Sequence, residues 1–189
     1  MEISMRTLVD AVWLGIGVYW FLTATRLAPT LATPPAPTRA LEVKLLVSAA
    51  LLLFVEWPGV TPAARFLPGG FGISAGILLV LAGAVLAIAS RSALGGNWTA
   101  APAIRKEHSL VSRGPYRLAR HPVYLGLFLC AIGSALALGE WSVLLGAVLL
   151  LAAFYLKAHS EERLLSQAFG PAYDRYRERV SIMIVPLLF

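Results

Sequence analysis

The stretch that decides the fold runs from residue 122 to residue 162: PVYLGLFLCAIGSALALGEWSVLLGAVLLLAAFYLKAHSEE. It contains two apolar runs, 123–139 and 141–157, that meet at Gly139-Glu140. Each is close to the roughly 17–25 residues a helix needs to cross the hydrocarbon core of a bilayer. A link of two residues permits only a tight antiparallel hairpin, so these helices are expected to be neighbours. Upstream lie three more apolar segments, about 7–28, 41–57 and 71–90, separated by helix breakers. Pro29, Pro34, Pro35 and Pro37 interrupt the chain first, and Pro58, Pro62, Pro68, Gly69 and Gly70 interrupt it again. The segment 7–28 exceeds the roughly 7–15 apolar residues of a signal peptide's core and is expected to be a retained helix.

Composition agrees with this pattern. Hydrophobic residues make up 58% of the 189 and charged residues 14%, with a mean hydropathy of +0.74. Ordinary soluble domains run at about 45–50% apolar and 25% charged. The expected fold is an all-α, polytopic membrane helix bundle of about five transmembrane helices in a single domain, 1–189.

The formal charge of +6 is informative through its location. If 91–122 is cytoplasmic, five crossings put the N-terminus and the 57–70 loop outside, and the 28–40 loop and the C-terminal tail inside. Of the 16 Lys and Arg residues, only Arg6 and Arg65 then fall outside, as the positive-inside bias requires. That distribution argues against nucleic acid as a partner. Cys130 is the only cysteine and lies in an apolar run, so no intramolecular disulfide or Cys-based zinc site is available, and no metal is expected. Gly72, Gly76 and Gly83, with Gly126 and Gly133, recur at spacings that allow helices to approach closely.

Polar chemistry collects on one face. His108, His121 and His159 all lie outside the apolar segments, as do Glu107, Glu161, Glu162, Asp174 and Glu178. No apolar segment carries a charge near its middle, which leaves an ion path of intramembrane carboxylates unsupported. Gly114-Pro115 provides a turn, and Pro122 suits the first position of a helix, which puts His121 at that helix's N-terminus, where the exposed N–H groups favour an anion. Lys157 and Glu161 share a helix face at i, i+4, with Glu162 beside them. The hairpin should bring this face next to His121. Gly170-Pro171 ends one helical piece and begins another, an amphipathic one carrying Tyr173 and Tyr176, suited to the membrane interface. The apolar tail 181–189 is too short to cross; it should cap the site or lie along the membrane.

Over residues 90–186 these features resemble the isoprenylcysteine carboxyl methyltransferase and phospholipid methyltransferase group of integral membrane enzymes. The resemblance rests on Leu94-Gly95-x-x-Trp98, His108-x-Leu110-Val111-x-x-Gly114-Pro115-Tyr116, Arg120-His121-Pro122-x-Tyr124-x-Gly126, Glu161-Glu162-x-x-Leu165 and Phe169-Gly170-x-x-Tyr173-x-x-Tyr176. It implies N-terminal transmembrane helices over 1–90 and a cofactor-binding catalytic region over 91–189, with a cytoplasmic cofactor-binding loop and a C-terminal amphipathic helix. The implied methyl donor is S-adenosyl-L-methionine. Carried over by position, His108, Ser109, Leu110, Val111, Tyr116, His121, Pro122, Val123 and Tyr124 line the donor pocket, and Glu161 meets its amino group. Arg120, Lys157, Glu161 and Glu162 are the candidate catalytic residues. Where the family usually has an Arg before the acidic pair, thought to hold the acceptor's carboxylate, this chain has Lys157, which keeps the charge but loses the bidentate fork.

The implied acceptor is lipophilic, a prenylcysteine-like carboxylate, an isoprenoid or a phospholipid, entering from a bilayer whose lipids are the other partners. The expected location is a prokaryotic plasma membrane, with the site facing the cytoplasm. Two rival readings are an NADPH-dependent reductase of lipid double bonds, which such membrane enzymes resemble in their C-terminal helices, and a non-catalytic lipid-binding scaffold.

Overall fold

The computed structural model describes residues 4–24, 30–32, 36–55, 66, 69–95, 104–105 and 110–186. Within the described residues every apolar segment read from the sequence forms a helix: α1 (Met5–Ala24), α2 (Ala36–Phe54), α3 (Gly70–Leu94), α4 (Pro122–Leu138) and α5 (Trp141–Phe169), followed by α6 (Pro171–Arg179). The ends of the first two segments, 25–28 and 56–57, lie outside the described residues. The fold is an all-α membrane helix bundle. Helices α1, α3 and α5 are long and apolar enough to cross a bilayer, and α4 is a shorter apolar helix. Helix α2 carries Arg39, Glu42 and Lys44 in its first half and packs along α5. Large apolar side chains point outward, including Leu14, Phe21, Leu78 and Val85, each at least two-thirds exposed. In water that surface would be a liability; in lipid it is the outer wall.

The hairpin forms as its sequence demands. Gly139 closes α4 in the left-handed region, at φ 66°, a conformation that glycine adopts without steric cost, and α5 begins two residues later. Contacts at the two ends of the bundle fix the order of the crossings. Around the hairpin turn, Arg6 donates to Glu140 Oε2 at 2.6 Å and to the Leu53 carbonyl at 3.0 Å, and Phe66 N–H donates to the Gly139 carbonyl. The start of α1, the end of α2 and the α4–α5 turn therefore share one end. At the other end, Arg91 donates to the Thr23 carbonyl, and two short antiparallel strands, β1 (Thr30–Ala32) and β2 (Ile104–Arg105), join the α1–α2 and α3–α4 connections. This is the alternation that five crossings require.

Although α4 and α5 are sequence neighbours, the most intimate contact in the bundle is between α3 and α4. Here the heptad-spaced glycines interlock. A Cβ on Gly126 would lie 2.6 Å from Ala87 N and 2.7 Å from the Gly83 carbonyl, and one on Gly76 would lie 2.5 Å from Ala137 N. Backbone touches backbone, so a methyl group must push the helices apart. Gly126→Ala is expected to destabilise the protein by about 1–3 kcal/mol in a reversible unfolding titration, against the helix-propensity gain of the same change. Gly15→Ala on the open face of α1, where an added Cβ meets nothing within 4 Å, should be neutral or stabilising.

Candidate functional site

The site is assembled where α4 begins and α5 leaves the apolar zone. The apolar part of α5 ends at Leu156, and the helix continues as the polar run from Lys157 to Gln167. His121 is the residue before α4, with Pro122 at the first helical position. The chain after α6 runs back alongside: Arg120 and His121 donate their backbone N–H groups to the carbonyls of Ile182 and Met183, both at 2.9 Å. The apolar C-terminal segment thus covers the start of α4, as a cap would.

His121 stands between two carboxylates. Its Nδ1 lies 3.3 Å from Glu161 Oε2 and its Nε2 lies 3.1 Å from Glu162 Oε1. A carboxylate can only accept, so both ring nitrogens are held as donors, which is the imidazolium form. Burial works to lower the His121 pKa, but the hydrogen bonds and charges of Glu161 and Glu162 outweigh it and raise the pKa above its ordinary value. Glu162 responds in the opposite sense. Burial pushes its pKa up, while His121, Tyr173 and Arg120 draw it down to about 2.

Glu162 is the hub. Its Oε1 accepts from Arg120 Nε at 2.9 Å, Tyr173 Oη at 2.6 Å and His121 Nε2, and Arg177 Nε stands 3.5 Å from Oε2. Arg120 also uses Nη1, donating to the carbonyls of Val180 and Ser181 at 2.8 and 2.7 Å. Its guanidinium therefore ties α5 to the C-terminal segment. Helix α6 is tied back as well, since Tyr176 Oη donates to the Tyr116 carbonyl at 2.7 Å. Tyr173 and Tyr176 are almost fully buried and pack with Leu110, Leu165, Phe169 and Val180.

On the other side of His121 the walls are aromatic. The Tyr124 ring stacks on His121 at 5.5 Å and on Phe154 at 4.7 Å between centroids, and Lys157 Nζ sits 5.6 Å from the centre of the Tyr124 ring. Tyr124 Oη donates to Glu161 Oε1 at 2.6 Å. Beyond Glu162 opens a cleft of about 360 Å³, rimmed by Arg120, His159, Arg163, Arg177 and Met183.

Residues 71–172 match the family described as Phospholipid methyltransferase, more than half of the sequence. The chain belongs to the phospholipid methyltransferase family. Among curated relatives, it is 38% identical over 84 residues to protein-S-isoprenylcysteine O-methyltransferase of Schizosaccharomyces pombe, covering 43% of this chain and 36% of that one. It is 32% identical over 109 residues to protein-S-isoprenylcysteine O-methyltransferase A of Arabidopsis thaliana, covering 56% of this chain and 55% of the relative. With the Saccharomyces cerevisiae protein-S-isoprenylcysteine O-methyltransferase it shares 32% identity over 112 residues, 58% of this chain and 47% of the other. The chain spans about half the length, or less, of the curated relatives it matches.

The family match contains His121, Tyr124, Lys157, Glu161 and Glu162, and ends before Tyr173. Of the residues singled out from the sequence, the structure brings Arg120, His121, Pro122, Val123, Tyr124, Lys157, Glu161 and Glu162 to one end of the α4–α5 pair. Tyr116 is buried beside them through its link to Tyr176. Leu110 packs against the tyrosines of α6, and Val111 is half-buried. His108 and Ser109 lie outside the described residues. Sequence reading assigned Tyr173 to a membrane-interface helix and overlooked its bond to Glu162. Phe154 and Arg177 were also missed. Tyr173 carried a signal in the Phe169-Gly170-x-x-Tyr173 spacing, whereas Phe154 looked like any other apolar position of a crossing helix.

Proposed function

We propose that this chain transfers the methyl group of S-adenosyl-L-methionine to the carboxylate of a lipophilic, prenylcysteine-like acceptor at the membrane. The observation that carries the proposal is the His121 imidazolium between Glu161 and Glu162, at the N-terminus of α4 and against stacked aromatic rings. The methyl donor bears a carboxylate, an ammonium, a sulfonium and an adenine ring. The site offers a matching set: the positive charge of the His121 imidazolium and a helix N-terminus for the carboxylate, acidic oxygens for the ammonium, and Tyr124 with Phe154 as apolar and aromatic walls. Bound there, the donor supplies an electrophilic methyl carbon.

The residues of this chain then have positional tasks. Tyr124 and Phe154 keep water from the reacting atoms. Lys157, over the Tyr124 ring, supplies the charge that holds an acceptor carboxylate in line. Glu161 and Glu162 keep His121 protonated and oriented. Glu162 is a poor base, because three donors occupy one of its oxygens and its pKa is drawn down to about 2. An amine acceptor would require a base to take its proton, whereas a carboxylate needs none, and this favours the carboxylate. The names of the relatives point the same way. A cytoplasmic position for this end of the bundle is supported by the Lys and Arg distribution.

The test is incorporation of labelled methyl from S-adenosyl-L-methionine, with prenylcysteine, phosphatidylethanolamine and an isoprenoid acid offered as acceptors to the purified protein in detergent. The expected product is a base-labile methyl ester of the prenylcysteine. Lys157→Ala should raise the KM for that acceptor by about tenfold or more, with Lys157→Arg retaining or improving on the wild-type value. Stable N-methyl product from phosphatidylethanolamine, with none from the carboxylates, would overturn the acceptor assignment.

A further inference from the structure

The carboxylates near Lys157 are not equally occupied. Glu161 accepts from Tyr124 on one oxygen and faces His121 with the other. Glu162 accepts three hydrogen bonds on Oε1 and faces Arg177 with Oε2. A third acidic residue, Glu42 on α2, is 5% exposed, and its Oε2 has no hydrogen-bond partner among the described residues. A buried carboxylate oxygen without a donor is costly, and such a group persists where something other than stability requires it.

Helix geometry locates Glu42. Along α2 the residues turned toward α5 are Glu42, Leu46, Ala49 and Leu53, at the i, i+4, i+7, i+11 spacing of one helix face. The Ala49 carbonyl lies 3.2 Å from the Cβ position of Gly146, which fixes the register of the two antiparallel helices. Moving from Ala49 to Glu42 is about 10.5 Å along α2, which is level with about residue 153 on α5. Side chains tilt toward the N-terminus of their own helix, so the Glu42 carboxylate extends about another turn, to the level of Lys157. Its electrostatic interactions agree with that position: they run to Lys157, Glu161 and Arg39, and Tyr124 feels its charge in turn. Helix α2 lies outside the family match, so Glu42 belongs to the part of the chain that this match does not describe.

We infer that Glu42 completes the site from α2, its open Oε2 accepting a hydrogen bond from the α-ammonium of the methyl donor. This rests on the methyl-transfer reading above. With a carboxylate acceptor, the donor's ammonium is the only N–H-bearing cation that the reaction brings to the site. Glu161 and Glu162 already have donors on each of their oxygens or facing them, and Glu42 has an oxygen to spare. Glu42 is then a binding residue that selects for the amino-acid end of the donor.

The experiment measures equilibrium binding of two ligands to the full-length protein in detergent: S-adenosyl-L-homocysteine, and its deaminated analogue, which keeps the carboxylate but lacks the amino group. Glu42→Gln and Glu42→Ala are expected to weaken S-adenosyl-L-homocysteine about ten- to hundredfold and to leave the analogue within about twofold of wild type. Without ligand, Glu42→Gln should be at least as stable as wild type, because it removes a buried carboxylate charge whose Oε2 accepts no hydrogen bond among the described residues. Equal weakening of both ligands would make Glu42 a structural residue and overturn the inference, as would unchanged binding of both. If wild type binds neither ligand, the methyl-transfer reading fails and this inference fails with it; a loss confined to the variants leaves that reading intact.

Discussion

Replacing Glu162 by alanine is expected to destabilise the protein by about 3–5 kcal/mol, the largest loss from any single polar substitution among the described residues. The reason lies in what is left behind. Glu162 Oε1 is the common acceptor for Arg120, His121 and Tyr173, and the Arg120 and Glu162 side chains are 5% and 11% exposed. Truncating the acid leaves a buried guanidinium without its counter-charge, the His121 imidazolium with only Glu161 of its two carboxylates, and a buried phenol without its acceptor. Arg120 also holds the carbonyls of Val180 and Ser181, so the segment after α6 should loosen and become open to protease. Glu162→Gln keeps an acceptor oxygen but not the charge, and should lose less. Unfolding in detergent with increasing denaturant measures both variants. A loss below about 1 kcal/mol for Glu162→Ala, the size of an exposed ion pair, would contradict the hub assignment.

The second large effect concerns the ligand. His121→Ala is expected to weaken binding of S-adenosyl-L-homocysteine by about 2–5 kcal/mol, a thirtyfold loss or more. Wild-type His121 sits between Glu161 and Glu162 and screens one from the other. Removing it leaves the two carboxylates of α5 without the cation they share, with a local charge that repels the donor's own carboxylate. His121→Gln, which restores a donor and much of the ring's bulk, should recover part of the affinity. Glu161→Ala should also weaken binding, since Glu161 holds both His121 and Tyr124 in place. Equilibrium dialysis with labelled ligand checks each variant. Undiminished binding in both alanine variants, with the fold intact, would remove these residues from the donor site.

The helices were legible because their signals are local. The length of each apolar run, Pro122 at the start of α4, Gly139 at the hairpin and Gly170-Pro171 between α5 and α6 each act within a few residues. The glycine spacing at 76, 83, 126 and 133 announced a close helix pair, and the structure puts it between α3 and α4. Legibility fails where a contact joins residues far apart in the chain. Nothing local ties Arg6 to Glu140 or sets α2 against α5, because those choices depend on which faces of five similar apolar helices fit together.

The adjacent pair Glu161-Glu162 illustrates the same limit inside the site. Neighbouring residues on a helix point about 100° apart, so they serve different partners. Glu161 takes Tyr124 and one nitrogen of His121, and Glu162 takes the other nitrogen together with Arg120 and Tyr173. Spacing alone favoured Glu161, which shares a face with Lys157, and gave no indication that Glu162 collects more bonds. Nothing local places Glu42 at the site, because its register against α5 is set by Ala49 and Gly146, not by its own neighbours in sequence.

Thermal unfolding of the wild-type protein in detergent, alone, with S-adenosyl-L-homocysteine and with NADPH, decides whether the polar end of the α4–α5 hairpin takes S-adenosyl-L-methionine or a nicotinamide cofactor. At ligand about a hundredfold above Kd, binding to the folded state adds about 2.7 kcal/mol. A clear rise in Tm with S-adenosyl-L-homocysteine and none with NADPH is the predicted result. A rise with NADPH and none with S-adenosyl-L-homocysteine would contradict it and point to a reductase; no rise with either would point to a lipid-binding scaffold.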